Sequence, residues 1–179
     1  MGRARVPVAA GGTLAALVAA VVASALGTAP GQGAVTAACT RDATRSALAS
    51  FVTAYNSGAY RSLDALFAES PLFGWYSSNV PGLRGAAAAK SRGTLTAYFR
   101  SRHAKRDRLR LVSFTFNGNS NGRGNFVFKM RRSAADYRRG GWFGLAGKGA
   151  AVCAAPSAYV ERPVQFVVLS MGGPGSDKP

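Results

Sequence analysis

Apolar residues recur with a helical period in the segment that directly follows residue 38. They recur at spacings of three and four on one predicted helix face, at Ala47, Leu48, Phe51, Val52 and Tyr55. Thr40 is placed to cap the start of this helix, and Asp42 suits the positive end of its first turn. Gly58 is a natural stop. The pattern therefore predicts a first helix between Thr40 and Gly58.

Two further helices are predicted before residue 110. A short one at about 60–68 would bury Leu63, Leu66 and Phe67, and Pro71 prevents it from continuing. The aromatic segment 72–76 is predicted to be a short strand or an ordered loop, and the Gly-, Ser- and Ala-rich segment 77–93 a loop. The third helix is predicted to start at Thr94. One side of this helix would carry Leu95, Tyr98, Phe99 and Arg102.

The period changes from helical to two after residue 109, which is typical of strands. RLVSFTFN at 110–117 is predicted to turn Val112, Phe114 and Phe116 to one face, and GNFVFKMRR at 124–132 to turn Phe126, Phe128 and Met130 inward. The turn residues GNSNG join them as a hairpin. WFGLAGKGAAVCA is predicted to be one long bent strand, and VQFVVLSM at 164–171, apolar on both faces, a central strand.

This order of elements predicts the α+β class, with three N-terminal helices packed against an antiparallel sheet. One domain over residues 35–172 is expected from the length of 179 residues, followed by a disordered tail at 173–179.

The N-terminus resembles an export signal. MGRAR supplies positive charge, and an uncharged Ala-, Val- and Leu-rich run follows it up to Gly27. Residues 1–34 are therefore predicted to be a signal peptide and spacer, with cleavage favoured before Thr28, and the protein to be secreted or held in the cell envelope. Two alternatives remain open: a lipid-modified Cys39 and an uncleaved anchor over residues 6–27.

The two cysteines, Cys39 and Cys153, both lie in the exported part. In an oxidising compartment such a pair in a small domain predicts a disulfide that links the start of the domain to a late strand. The alternative is two buried thiols.

The charge is strongly positive, because 23 basic residues against 7 acidic ones give +16, and removal of Arg3 and Arg5 with the signal leaves +14. A basic patch is predicted at Arg100, Arg102, Lys105, Arg106, Arg108 and Arg110. Arg131, Arg132, Arg138 and Arg139 could extend it. The expected partner is an anionic envelope polymer or a lipid surface, and no nucleic acid is expected, because no binding motif accompanies the charge. A merely solvated face is the alternative.

The segment YNSGAYRSLDALFAES, together with the order of elements, resembles the nuclear transport factor 2-like (NTF2-like) superfamily, which includes SnoaL-like and ketosteroid isomerase-like domains. The residues that fit the family's pattern are Asn56, Gly58, Leu63, Leu66, Phe67 and Ala68. The resemblance implies a cystatin-like cone, in which a curved sheet wraps around the first helix and a pocket opens at one end. Because this superfamily holds enzymes, ligand binders and adaptors on one scaffold, the fold alone does not give the function.

The chemistry of the ketosteroid isomerases is not expected. Counted from the shared motif, the position of their oxyanion-donating Tyr falls on Phe51 and that of their general-base Asp on Trp75, and neither residue can take that role. His103 partnered by Asp107 is an alternative base, although a partly exposed histidine at a helix end explains the same residue. Seven scattered acidic residues and one histidine predict neither a metal site nor a cofactor.

Aromatic residues are the candidates for the wall of a ligand pocket, with ordinary core packing as the alternative. The candidates are Tyr55, Phe73, Trp75, Tyr76, Tyr98 and Trp142. The sequence thus predicts an exported non-catalytic domain that binds a small apolar or amphipathic ligand or serves as an envelope accessory through a basic face. A SnoaL-like lyase or isomerase with an unfamiliar catalytic set is the alternative, and a homodimer remains open.

Overall fold

A computed structural model describes residues 38–79, 86–137, 140–155 and 157–178. The predicted signal peptide and spacer, 1–34, lie outside the described residues, as do Arg138 and Arg139. Within the described ranges no helix has the length and apolar character that crossing a bilayer requires.

The first helix is formed as predicted. Helix α1 spans Arg41–Ser57, and the Thr40 hydroxyl accepts a hydrogen bond of 3.2 Å from the Ala43 amide at its start. Gly58 ends it with φ of 70°, the left-handed conformation that glycine adopts at least cost. Leu48 and Phe51 are fully buried, which confirms the face predicted from the periodicity.

The other two helices differ from the prediction in their limits and position. Helix α2 covers only Tyr60–Asp64, after which the chain continues in turns. Two strands then follow, β1 over Trp75–Asn79 and β2 over Ala86–Ala89. The start of β1 lies in the segment 72–76, predicted as a short strand or an ordered loop, whereas a loop was predicted for the rest. Helix α3 spans Arg92–Ala104 and starts before Thr94, because Ser91 provides the capping hydroxyl. The three helices therefore do not all precede the sheet.

The remaining strands complete a six-stranded sheet in the order β2-β1-β6-β5-β4-β3. They are β3 at Arg108–Ser120, β4 at Arg123–Ser133, β5 at Phe143–Cys153 and β6 at Val164–Met171. The sheet is mixed rather than antiparallel, since β1 pairs with β6 in parallel. The predicted hairpin is β3–β4, and the predicted central strand β6 lies between β1 and β5.

One face of the sheet packs against the helices. We call it the inner face and the opposite one the outer face. Phe126 and Phe166 of the inner face and Phe51 of α1 form part of one buried aromatic cluster. The prediction that Val112 shares a face with Phe114 and Phe116 is wrong, since Val112 is 58% exposed and the two phenylalanines are partly buried. The pairing shifts between Leu111 and Ser113, so β3 carries an extra residue there and its alternation is displaced.

The predicted disulfide between Cys39 and Cys153 is present, and it joins the residue before the α1 cap to the end of β5. The segment around Cys39 is fixed a second time by Asn119 of β3. The Cys39 amide donates to the Asn119 Oδ1 atom at 2.9 Å, and the Asn119 Nδ2 atom donates to the Cys39 carbonyl at 3.0 Å.

Residues 173–178, predicted to belong to a disordered tail, form turns against β5. The Gly175 amide donates to the Gly144 carbonyl, and the Ala146 amide donates to the Ser176 hydroxyl. The carboxylate of Asp177 occupies the space that a Cβ atom on Gly144 would need, so the glycine makes room for the tail. The composition of the segment suggested disorder, but hydrogen bonds to the exposed strand backbone hold it.

Candidate functional site

The polar centre of the inner face is an arginine bound to a carboxylate. Arg132 of β4 and Asp107, which precedes β3, are both 0% exposed. The Arg132 Nε atom donates to the Asp107 Oδ1 atom at 3.0 Å, and its Nη2 atom to the Oδ2 atom at 2.6 Å. Arg132 also donates to the hydroxyls of Ser78 at 2.6 Å and Tyr98 at 3.2 Å. This geometry fixes the guanidinium from three elements at once.

Arg102 of α3 extends the same network. Its Nε atom donates to the Asp107 Oδ2 atom at 2.6 Å, and its two Nη atoms bind both oxygens of Asp136 at 2.7 and 2.9 Å. The Arg102 hydrogen bonds hold the pKa of Asp136 below its ordinary value. Two buried cations thus meet two carboxylates, and we call Arg102, Asp107, Arg132 and Asp136 the buried ionic network.

This network corrects two predictions. Arg102 was assigned to the surface basic patch and Arg132 to its extension, but both lie inside and are neutralised. Arg132 follows Phe126, Phe128 and Met130 at steps of two, so it must share their inward direction. Arg102 and Arg132 were predicted to lie on the surface because charged side chains are seldom buried without partners.

Two tyrosines in the interior, Tyr55 of α1 and Tyr76 of β1, have buried hydroxyls for which the described residues provide no hydrogen-bond partner. Burial raises the pKa of both phenols well above the ordinary value for tyrosine. Both therefore stay protonated at neutral pH. They can donate a hydrogen bond, but they cannot act as bases.

No carboxylate of the buried ionic network is free to act as a general base. Both oxygens of Asp107 are taken by guanidinium groups, so its lone pairs do not face a substrate. The alternative pairing of His103 with Asp107 is not formed, because the His103 ring lies edge-on to Tyr60 and against Gly58, and its Nδ1 atom has no hydrogen-bond partner among the described residues. The other explanation, a partly exposed histidine at a helix end, matches its place in the last turn of α3. Among the described residues, no three His, Cys, Asp or Glu side chains gather closely enough to hold a metal ion.

The six aromatic pocket candidates divide between the two faces. Tyr55, Phe73 and Tyr76 are buried in the core, and Tyr98 packs beside Tyr76 with ring centroids 5.3 Å apart. Trp75, 37% exposed, pairs with Val168 and points outward because neighbouring residues of a strand alternate. Trp142 is 50% exposed and lies at a groove of the outer face. The six do not form one pocket.

The outer face carries a basic groove formed mainly by β3 and β4. This cavity has a volume of about 690 Å³, and we call it the basic groove. It is lined by Arg110, Lys129, Arg131 and Trp142, with one acidic residue, Asp177. Arg110 and Arg131 stand directly opposite each other in the β3–β4 pairing. Like charges in that position destabilise a sheet, so this pair has no structural rationale of its own.

An apolar trough adjoins the basic groove. It has a volume of about 430 Å³, and Lys129 lines both cavities. Val127 forms part of its wall, and the small residues Ala146 and Gly147 of β5 lie along it. Lys148 and Ser170 are also in its lining. The two cavities together place positive charge beside exposed apolar surface on one face of the sheet.

The rest of the predicted basic patch is dispersed. Arg100 places its guanidinium over the Tyr60 ring at 5.4 Å, and Lys105 and Arg106 are exposed at the end of α3. Arg108 donates to the carbonyl of Asp107. Only Arg110 of the predicted patch lines the basic groove. Lys129 was missed, although its place between the inward residues Phe128 and Met130 indicated an outward side chain.

The comparisons with known proteins identify the fold. The sequence matches no protein-family model and no curated protein. Solved structures do match. A proposed dehydratase of the NTF2-like family from Streptomyces avermitilis has a TM-score of 0.57 at 10% identity, over 73% of this chain and 93% of that one. An NTF2-like protein from Pseudomonas putida KT2440 has a TM-score of 0.56 at 10% identity, over 77% and 89%.

A third similar structure is an NTF2-like protein with a cystatin-like fold from Novosphingobium aromaticivorans, with a TM-score of 0.53 at 18% identity, over 73% of this chain and 79% of that one. These likenesses show that the chain has the NTF2-like, cystatin-like fold, which confirms the resemblance seen in the sequence. At such low identity they do not transfer an activity.

Proposed function

We propose that the chain is an exported, non-catalytic NTF2-like domain that binds anionic membrane surfaces through the basic groove. The observation that carries this proposal is the pair of Arg110 and Arg131, which face each other on the outer sheet face. An anion between them would offset the repulsion that the pair otherwise costs. The export part of the proposal rests on the N-terminal sequence.

The contrast with the interior supports a role for the outer face. Arg102 and Arg132 are neutralised by carboxylates, so they add nothing to the attraction of a distant anion. Arg110 and Arg131 form no ion pair or side-chain hydrogen bond with any residue that the structure describes. A lipid phosphate could therefore bind to them without displacing another partner.

Vesicle sedimentation tests the proposal. The purified protein should bind vesicles of phosphatidylcholine mixed with phosphatidylglycerol but not of phosphatidylcholine alone, and binding should weaken steeply with added salt. The double variant Arg110→Gln/Arg131→Gln should bind about thirtyfold more weakly, since each basic residue near an anionic membrane contributes about 1 kcal/mol.

The matched control is Arg41→Gln/Arg45→Gln on the exposed side of α1, which removes the same charge elsewhere. All variants carry the same N-terminus, so any contribution of that segment cancels. An equal loss in both double variants would mean that only net charge matters. That result, or the absence of binding to anionic vesicles, would overturn the proposal.

A lyase or isomerase acting in the interior is the second candidate. It is favoured by the unpartnered hydroxyls of Tyr55 and Tyr76, which could orient a substrate carbonyl. The occupied oxygens of Asp107 count against it, because proton abstraction needs a free base. The structure from Streptomyces avermitilis that is described as a proposed dehydratase is one analogy for this candidate function.

A further inference from the structure

The basic groove and the apolar trough meet at Lys129, which lines both of them. The Lys129 Nζ atom donates to the backbone carbonyl of Asp177 at 2.8 Å, and this bond holds the lysine beside the folded tail. The basic groove and the apolar trough are therefore continuous along one face of the sheet. A flat membrane surface would need the charges alone and would gain nothing from a trough.

The trough lies along Ala146 of β5, whose small side chain faces outward opposite Lys129. Lys148, two residues further on and on the same face, borders it. Val127, 40% exposed, borders this depression on the side of β4. An apolar chain placed here would cover surface that nothing else in the described structure covers, and burial of each methylene would be favourable.

Charge complementarity selects the head of the ligand. Arg110, Lys129 and Arg131 outnumber the one carboxylate in the basic groove, that of Asp177. Arginine binds phosphate oxygens in a forked geometry, and two facing arginines can hold one phosphate from both sides. Trp142 at the same groove offers an aromatic surface of the kind found at membrane interfaces.

We infer that these two cavities together form a site for one anionic phospholipid molecule, with its phosphate between Arg110 and Arg131 and one acyl chain in the trough along Ala146. The inference rests on the proposed function and specifies its ligand. The protein then recognises a lipid molecule, and does not only adhere to a charged surface. Anionic polymers without an apolar chain would occupy only the basic groove.

Calorimetric titration with soluble single-chain probes tests the site. The probes are butyl, hexyl and octyl phosphate below their micelle concentrations, with inorganic phosphate and octyl glucoside as probes that lack the chain or the charge. The dissociation constant should fall with chain length, by at most about fourfold for each methylene that the trough buries. Inorganic phosphate and octyl glucoside should each bind at least about tenfold more weakly than octyl phosphate.

Variants separate the two ends of the site. Ala146→Phe fills the trough without a change of charge, so it should remove the dependence on chain length and keep the affinity for inorganic phosphate. Ser170→Phe fills the trough from β6 and provides the same test if the first variant is unstable. Ala97→Phe, at an exposed position of α3, is the matched control and should behave as the wild type.

Two results would overturn the inference and leave the proposed function intact: an affinity independent of chain length, or chain-length dependence that survives both trough variants. In either case anionic vesicles would still bind and only the single-lipid site would be lost. Equal binding of octyl glucoside and octyl phosphate would overturn the inference as well, since it would reveal an apolar patch without head-group recognition. Absence of vesicle binding would instead overturn the proposed function itself.

Discussion

Asp107 is the residue on which the polar interior depends. Its two oxygens receive hydrogen bonds from both Arg132 and Arg102, and all three side chains are buried. Removal of charged groups from water is costly, and the cost is recovered only when each charge has a close partner. Asp107 therefore compensates the buried charge of Arg132 and shares with Asp136 the compensation of Arg102.

The variant Asp107→Asn should be strongly destabilised. The asparagine keeps the shape of the side chain but removes the charge that faces both arginines, so the free energy of unfolding should fall by about 3–5 kcal/mol. Urea denaturation followed by circular dichroism measures this change.

The control is Asp42→Asn, the same substitution at an exposed site in the first turn of α1, where a loss below about 1 kcal/mol is expected. Equal and small losses in both variants would show that the buried ionic network does not stabilise the fold.

Asn56 and Gly58 form the joint between α1 and α2, and this short motif positions the neighbouring helices and strands. The Asn56 side chain exchanges two hydrogen bonds of 2.8 Å with the backbone of Leu109, so it ties the end of α1 to β3. Gly58 reverses the chain with a positive φ, and the His103 ring of α3 packs where a Cβ atom would stand, at 2.9 Å. The motif that resembles the NTF2-like pattern is thus structural.

The variant Gly58→Ala should lose about 1–2 kcal/mol or more, because an alanine is strained at this φ and its methyl group meets His103. Gly93→Ala is the matched control. Gly93 lies in the first turn of α3 with open space around it, so alanine there should be neutral or stabilising by up to about 1 kcal/mol. Thermal unfolding of both variants measures these changes in stability. A Gly58→Ala protein as stable as the wild type would contradict the assigned role of the joint.

The periodic elements were predictable, and the elements that depend on pairing were not. Helix α1 and strand β4 carry their apolar period over many residues, so the sequence indicated both. Strand β2 consists of four alanines, which have no preference for a strand, and only its pairing with β1 makes it one. The exposure of Val112 follows from a shift in the β3–β4 register, which local periodicity does not reveal.

At the scale of the molecule, the positive charge is divided between a neutralised interior and an unpaired outer face. The sequence indicated the excess of charge but not this division. Arg102 and Arg110 lie in one basic run, yet one reaches Asp136 across 34 residues of sequence and the other faces Arg131 on the outer face. Such pairings are tertiary, so the pattern of charges along the chain could not place the groove.

The placement of the aromatic residues also favours binding on the outer face. Phe51 and Tyr55 fill the interior beside the buried ionic network, while both tryptophans of the chain, Trp75 and Trp142, are exposed. A pocket lined by all six candidates would have placed binding inside. The observed division favours the outer face, where Trp142 and the unpaired arginines meet.

In the proposed binding mode, an anionic ligand lies on the outer face and not in the interior. The most direct test is a titration of the ¹⁵N-labelled protein with octyl phosphate, followed by backbone amide chemical shifts. We predict that the largest shifts occur at Arg110, Lys129, Arg131 and Ala146, and that amides of α1 and α3 change little. Shifts centred on Tyr55, Tyr76 and Tyr98 would contradict the account, because they would place the binding site in the interior.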